Sequence, residues 1–296
     1  MKVGAVINNA SGTLSPEKAE KRLEVIIHHL ENQVMPECLS IVPGDQVKDE
    51  IKRVLDKGIE VLVIGGGDGT ISTAAQLVAN TDIALVVLAI GTKNNFARDA
   101  EIPFEPEEAI RLLDHLKIKK IDMGEVNDIK FINNASIGLY PDIVEEREEK
   151  TEKLGWSKWR AKITAVMVVL RRIRVMRMTV KSKDFRIKLF TPFLFVGNNE
   201  YENLFNSDFN RPSLNSGKIW LCMARSPRIW SLIIMAWHLG TRGIRDTENL
   251  DTRLLTEVSV NPRKRKVKVA IDGEIQNLYT PLRFKILKKS LRLVIP

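Results

Sequence analysis

A carboxylate set inside a run of glycines is the first place where this chain could do chemistry. Gly65-Gly66-Gly67-Asp68-Gly69-Thr70 follows the apolar run Val61-Leu62-Val63-Ile64 and precedes Ile71-Ser72-Thr73-Ala74-Ala75-Gln76-Leu77-Val78. The first run reads as a buried strand and the last as a helix beginning at Thr70. A glycine turn between them lets backbone N–H groups approach a polyphosphate without obstruction by side chains. The helix start adds unpaired donors and the positive end of the helix dipole. Asp68 places a carboxylate in a site otherwise suited to anions, which makes sense where a divalent cation stands between it and phosphate. Read for backbone geometry alone, the same six residues form a tight turn.

Three more segments join it. Asn8-Asn9-Ala10-Ser11-Gly12 closes the first strand, and small and amide residues at a strand's carboxyl end suit a nucleotide crevice. Gly91-Thr92-Lys93-Asn94-Asn95-Phe96-Ala97-Arg98 follows the strand expected at 83–90. Thr92 and Asn94 can offer backbone and amide contacts to phosphate or ribose, and Arg98 reads equally well as a structural ion-pair residue. Asp272-Gly273-Glu274 follows an apolar strand and presents two carboxylates from a turn. A carboxylate near a substrate hydroxyl can take its proton during phosphoryl transfer, although alone this tripeptide is only a charged turn.

The elements that must position these residues alternate in the first half of the chain. Strands are expected at 3–8, 61–64 and 83–90, and helices at 16–30, 50–55, 70–78 and 107–116. That alternation predicts an α/β domain, a parallel sheet with helices on both faces, over residues 1–123. Beyond it, strands are expected at 131–137, 177–183, 185–196, 218–223, 258–260, 266–271 and 282–286. Many stand in hairpin-like succession, which predicts a mainly antiparallel β domain over 124–296, with the last strand able to return to the first domain. Helical pieces are expected at 145–170 and 230–239.

The 296 residues carry a formal net charge of +9. The charge is uneven: residues 1–122 hold 14 Lys/Arg and 19 Asp/Glu, and the remainder is strongly basic. Such asymmetry suggests two units with different partners, the basic one suited to nucleic acid or to the anionic face of a membrane. Cys38 and Cys222 lie far apart and suggest a reducing compartment. The four histidines form no metal-ligand pattern. The opening residues lack the apolar core of a signal peptide, and the longest apolar stretches are far shorter than a membrane span. A soluble, cytoplasmic protein is expected.

Together the segments GGGDGT at 65–70, GTKNNFAR at 91–98, VGNNEY at 196–201 and IDGE at 271–274 resemble the diacylglycerol kinase catalytic-domain family in its soluble bacterial branch. NNASG at 8–12 is a looser match to that family's Asn-Pro-x-x-Gly. The family includes sphingosine kinases and is similar in fold to NAD kinases. GGDGT would also fit an NAD kinase, but the 91–98 segment and the DGE favour the lipid-kinase side. The resemblance implies ATP and Mg²⁺ as cofactors and transfer of the γ-phosphate to a lipid hydroxyl, diacylglycerol giving phosphatidate. It implies that the nucleotide lies against residues 8–12, 65–70 and Thr92, with Glu274 as general base and Asp272 beside it. Asp68 and Asp122 match the family's aspartate network around metal and phosphate.

The departures are specific. The family usually has Asn-Asp where this chain has Asn94-Asn95. Its acids near a structural metal are absent from Ser213-Leu214-Asn215-Ser216-Gly217, leaving a metal site at 213–218 in doubt. An NAD or other small-molecule kinase is the first alternative. A non-catalytic nucleotide- or lipid-binding module is the second, because acids are replaced at Asn95, Asn215 and Ser216.

Trp156, Trp159, Trp230 and Trp237 lie in two Lys/Arg-rich segments. Aromatic and basic residues together favour a headgroup interface, so these segments are expected to touch the anionic inner face of a membrane, or else to fill the second domain's core. Arg263-Lys264-Arg265-Lys266 reads as a solvated hairpin tip, with no nucleic-acid module around it. An exposed sheet edge in the second domain is expected to allow a homodimer.

Overall fold

The computed structural model describes residues 1–12, 16–31, 33–138, 175–202, 210–224 and 250–296. The chain divides into two units. The first holds Met1–Met123, Ser213–Ser216 and Leu287–Pro296, and the second holds Gly124–Pro212 and Gly217–Ile286.

In the first unit, β1 (Val3–Asn8), β2 (Leu39–Val42), β3 (Val61–Gly66) and β4 (Ala84–Ala89) form a parallel sheet in the order β2-β1-β3-β4. β1, β3 and β4 are buried at every residue, as continuous apolar runs between helical layers must be. Helix α1 (Pro16–Leu30) buries Ile26 and Leu30. Helix α2 (Val47–Leu55) packs on β1, and α3 (Asp68–Val78) on β3 and β4. The short α4 (Asn95–Asp99) precedes α5 (Pro106–Ile110), which packs on β4 and α1. β5 (Lys117–Val126) carries the chain into the second unit.

The second unit is built on two antiparallel sheets around one apolar core. β6 (Ile129–Phe131) pairs with β5, and β7 (Asn134–Gly138) follows it. One sheet has β8 (Met176–Lys181), β9 (Arg186–Thr191), β13 (Glu257–Pro262) and the first residues of β16 (Leu282–Ile295), in the order β16-β13-β8-β9. The other adds β10 (Phe193–Asn198), β11 (Ile219–Ala224), β12 (Leu250–Leu255), β14 (Lys266–Ile271) and β15 (Glu274–Tyr279), in the order β12-β11-β10-β7-β14-β15. Alternate residues of both sheets, including Val180, Val260, Leu282, Phe284, Ile137, Val196, Leu221 and Val269, fill the core between them. The α/β first unit and antiparallel second unit are the fold class read from the sequence.

Several boundaries move. The expected strand at 131–137 is two strands, broken at Ile132 and Asn133 where the chain turns. That at 185–196 is also two, because Pro192 has no N–H to continue a ladder. The helix at 107–116 is α5 and then a 3₁₀ turn, Arg111–Leu113. The last strand runs on to Ile295, nine residues past its expected end. Helix α3 opens at Asp68, two residues before Thr70. β2, β5, β12, β15 and α4 have no counterpart in the sequence reading. β2 and β12 are half-exposed and β15 mostly exposed, so their apolar pattern is weak. The expected helices at 145–170 and 230–239 lie outside the described residues.

Candidate functional site

Strand order β2-β1-β3-β4 reverses direction of travel between β1 and β3, and a crevice opens outside the carboxyl ends of strands at such a point. The segments at 8–12 and 65–70 leave β1 and β3 there, and 91–98 leaves β4 beside them. Hydrogen bonds tie the three together. Asn8 donates from Nδ2 to Thr70 Oγ1 (2.9 Å), and its Oδ1 accepts the N–H of Ala10 (3.0 Å). Asp68 accepts the N–H of Phe96 (3.1 Å) and of Asn95 (3.3 Å), so the glycine turn caps helix α4 from outside. Gly12 has φ +93, and a Cβ on it would stand 2.8 Å from the Ile90 carbonyl oxygen. A Cβ on Gly91 would collide with Gly67 Cα, so these two loops meet backbone to backbone.

Within this frame the expected residues divide. Gly67 is the N-cap of α3, and no side chain caps that end. The first intrahelical bond there is from Ile71 N–H to the Gly67 carbonyl (3.0 Å). The N–H groups of Asp68, Gly69 and Thr70 precede it and point along the positive end of the helix dipole. Gly65 and Gly66 belong to β3, where a Cβ on Gly65 would lie 2.7 Å from Ile7. Asn9 and Ala10 are exposed, with Ser11 beside them, and Thr92 is exposed on the facing loop. Asn94 is nearly buried in left-handed backbone, φ +51. Its amide donates to the Ala89 and Gly91 carbonyls (3.0 and 3.1 Å) and accepts the Gly91 N–H (3.0 Å), so it braces its own loop. Arg98 donates to the Lys93 carbonyl (3.2 Å) in the same loop.

The loop after β2 also borders this crevice and escaped the sequence reading. A Cβ on Gly44 would lie 3.3 Å from Asn8 Nδ2, and Asn9 N–H bonds the Val42 carbonyl (3.1 Å). The available signal was Pro43-Gly44-Asp45 after the short run Leu39-Ser40-Ile41-Val42.

Asp122 is buried on β5, where its carboxylate accepts the Lys289 N–H (2.8 Å) and its own N–H bonds the Leu214 carbonyl (2.8 Å). Among the described residues no group of three or more His, Cys, Asp or Glu stands ready to hold a metal ion. The Asp68 and Asp122 carboxylates accept backbone N–H groups, and Ser213 Oγ donates to Asn215 Oδ1. These residues do not build a protein cage for Mg²⁺. The uncapped α3 terminus and close-approach glycines do fit a nucleotide's phosphates.

In the second unit, Asp272 and Gly273 are the two central residues of the β14–β15 hairpin, with φ +48 and +94. Both values are those of the turn that Asp-Gly favours. Asp272 accepts three backbone N–H groups, from Ile132 (2.9 Å), Asn133 (2.8 Å) and Asn134 (3.0 Å). Its carboxylate thus holds the β6–β7 turn. Glu274 opens β15 and is exposed. The same turn is held from its other side. Asn198 Nδ2 donates to the Ile132 carbonyl (2.9 Å), Tyr201 Oη to the Asn133 carbonyl (2.9 Å), and buried Arg211 to Ile132 O and Asn133 Oδ1. The VGNNEY and IDGE segments therefore converge on Ile132–Asn133–Asn134. Arg211 and Asn133 carried no sequence signal, because single residues far apart in the chain form no spacing.

Residues 2–126 match the diacylglycerol kinase catalytic domain. The chain is 39% identical over 106 residues to a "Probable lipid kinase YegS-like" of Pseudomonas aeruginosa, covering 35% of each chain. It is 35% identical over 136 residues to the protein of that name in Serratia proteamaculans, covering 44% of each. The alignments span between about a third and under half of the length of these curated relatives. In structure it is similar to a crystal structure of a diacylglycerol kinase from Bacillus anthracis str. Sterne, with TM-score 0.71 and 17% identity over 100% of this chain and 97% of that one. It is also similar to yeast NADH kinase complexed with NADH, with TM-score 0.57 and 13% identity over 100% and 84%. The structural likeness establishes a shared fold, and residues 2–126, which contain the loops at 8–12, 65–70 and 91–98, carry the sequence match to the diacylglycerol kinase catalytic domain.

Proposed function

We propose that this protein is an ATP-dependent lipid kinase that transfers the γ-phosphoryl group to a lipid hydroxyl, with diacylglycerol as the acceptor and phosphatidate as the product. The observation that carries the reading is that loops 8–12, 65–70 and 91–98 are hydrogen-bonded together at the β1/β3 reversal, around a helix terminus that no side chain caps. The lipid acceptor is supported by the names of the curated relatives. A second buried apolar layer in the second unit, Phe193, Phe195 and Trp220 with Tyr201, is compatible with it.

The chain's own residues have separable tasks in this reading. The N–H groups opening α3 bind the nucleotide's phosphates, and the Asn8–Thr70 bond holds two of the loops at fixed separation. Asp68 keeps the 91–98 loop against the glycine turn. Glu274 accepts the proton of the attacking hydroxyl, and Asp272 keeps its hairpin rigid. ATP supplies the phosphoryl group when bound.

Incubation with radiolabelled ATP, a lipid panel including diacylglycerol, and NAD tests the reading. Label in phosphatidate supports it. Label in phosphorylated NAD alone replaces the acceptor. Nucleotide binding without transfer to any acceptor returns the non-catalytic module that Asn95, Asn215 and Ser216 suggest.

A further inference from the structure

The basic segment Arg263-Lys264-Arg265-Lys266 is not the hairpin tip expected from the sequence: it crosses from β13 in one sheet to β14 in the other, strands that do not pair with each other. Arg263 N–H bonds the Arg177 carbonyl (3.1 Å), which places the segment against the start of β8. On its other side, Thr280 N–H bonds the Arg265 carbonyl (3.0 Å) and Thr280 Oγ1 bonds the Lys264 carbonyl (3.0 Å). An exposed aromatic ring flanks the segment on each side. Phe190 lies opposite Arg177 in the β8–β9 ladder and is 55% exposed, with the guanidinium 5.6 Å from the ring centre. Tyr279 lies opposite Lys266 in the β14–β15 ladder and is 63% exposed, with the ammonium also 5.6 Å from the ring centre. Phe190 and Tyr279 are the two largely exposed rings among the described residues of the second unit. No acidic residue occurs between 258 and 271, between 175 and 183, or between 186 and 191.

We infer that this edge of the second unit docks on an anionic lipid bilayer. Water solvates Lys and Arg well, but it gives nothing to two large rings left uncovered beside them. A headgroup layer accommodates both, because aromatic rings settle at headgroup depth while basic groups meet lipid phosphates. Each stacked pair presents the ring and its cation together. A duplex nucleic acid would use the charges and leave the rings idle. The docking does not depend on phosphotransfer, since binding is read without nucleotide.

Sedimentation of the full chain with vesicles of phosphatidylcholine, or of phosphatidylcholine mixed with phosphatidylglycerol, tests it. Binding is expected on the mixed vesicles alone and weakens with salt. Replacing Arg263, Lys264 and Arg265 by Ser lowers it roughly a hundredfold, at about fivefold for each basic group. Phe190→Ser with Tyr279→Ser lowers it severalfold and leaves its salt dependence. The charge-keeping pair Arg263→Lys and Arg265→Lys retains it. Thermal melts of each variant show whether the fold is kept. Absent binding, equal binding to both vesicles, or binding unchanged in the triple variant overturns the inference. So does short duplex DNA that binds as tightly as the vesicles and loses as much in the triple variant. Phosphorylation of detergent-dispersed lipid separates the readings, because the triple variant keeps that activity if docking alone is lost. Failure of transfer by the wild type there removes the kinase reading and leaves vesicle binding standing.

Discussion

Two carboxylates two residues apart in the sequence have opposite environments. Asp272 is fully engaged by three backbone N–H groups, and Glu274 is exposed. Asp272→Ala strands those donors at a turn whose first two residues are buried, which is expected to cost about 3 kcal/mol and to appear as a lower unfolding midpoint in urea. Glu274→Gln is expected to leave that midpoint unchanged while lowering lipid phosphorylation by about a hundredfold or more, the usual reach of general-base catalysis. Equal destabilisation by both variants would remove the distinction. Gly91→Ala tests the crevice itself. Its methyl group meets Gly67 Cα, which cannot swing aside as a side chain would, so a loss of about 2 kcal/mol is expected together with weaker ATP binding by calorimetry.

At the scale of elements, edge strand β2 is held to helix α2 by one polar cluster. Arg53 bonds Glu50 (2.7 Å), Ser40 Oγ (3.1 Å) and the Glu37 carbonyl (3.1 Å), and Ser40 also bonds Glu50. The hydrogen bonds from Arg53 and then Ser40 hold the Glu50 carboxyl below the ordinary carboxylate range. A depressed value in the fold means stabilisation present above the unfolded pKa and lost as pH falls through the folded one. Glu50→Gln is therefore expected to lower the melting temperature by a few degrees near pH 7, and the gap from wild type should close as pH falls below about 4. A gap that stays constant down to pH 3 would show that the charge on Glu50 is irrelevant. β2 was missed in the sequence because half-exposed strands need not alternate cleanly. β1, β3 and β4 were legible because burial on both faces demands unbroken apolar runs.

For the molecule as a whole, the first unit is not continuous in sequence. Arg292 and Leu293 of β16 pair with Ala84 and Leu85 of β4, and Leu291, Leu293 and Val294 are wholly buried. Burial of three such side chains contributes on the order of 5 kcal/mol or more, a large part of what holds a domain folded. Deleting residues 287–296 is expected to abolish cooperative unfolding of the first unit, seen as loss of protease-resistant fragments from residues 1–123. A fragment ending at residue 126, where the match to the diacylglycerol kinase catalytic domain ends, should behave in the same way. What the amino-acid order determined by itself was local: which runs are buried strands, where glycines allow a backbone turn, and the loops that resemble those of diacylglycerol kinase catalytic domains. The tertiary structure alone decided that Asp272 grips a turn 138 to 140 residues away, that Asn94 braces its own loop, and that β4 is the strand with which the returning last strand pairs. Such pairings depend on strand order and register, which arise when distant segments compete for the same sheet edge and core, and no spacing along the chain records the outcome.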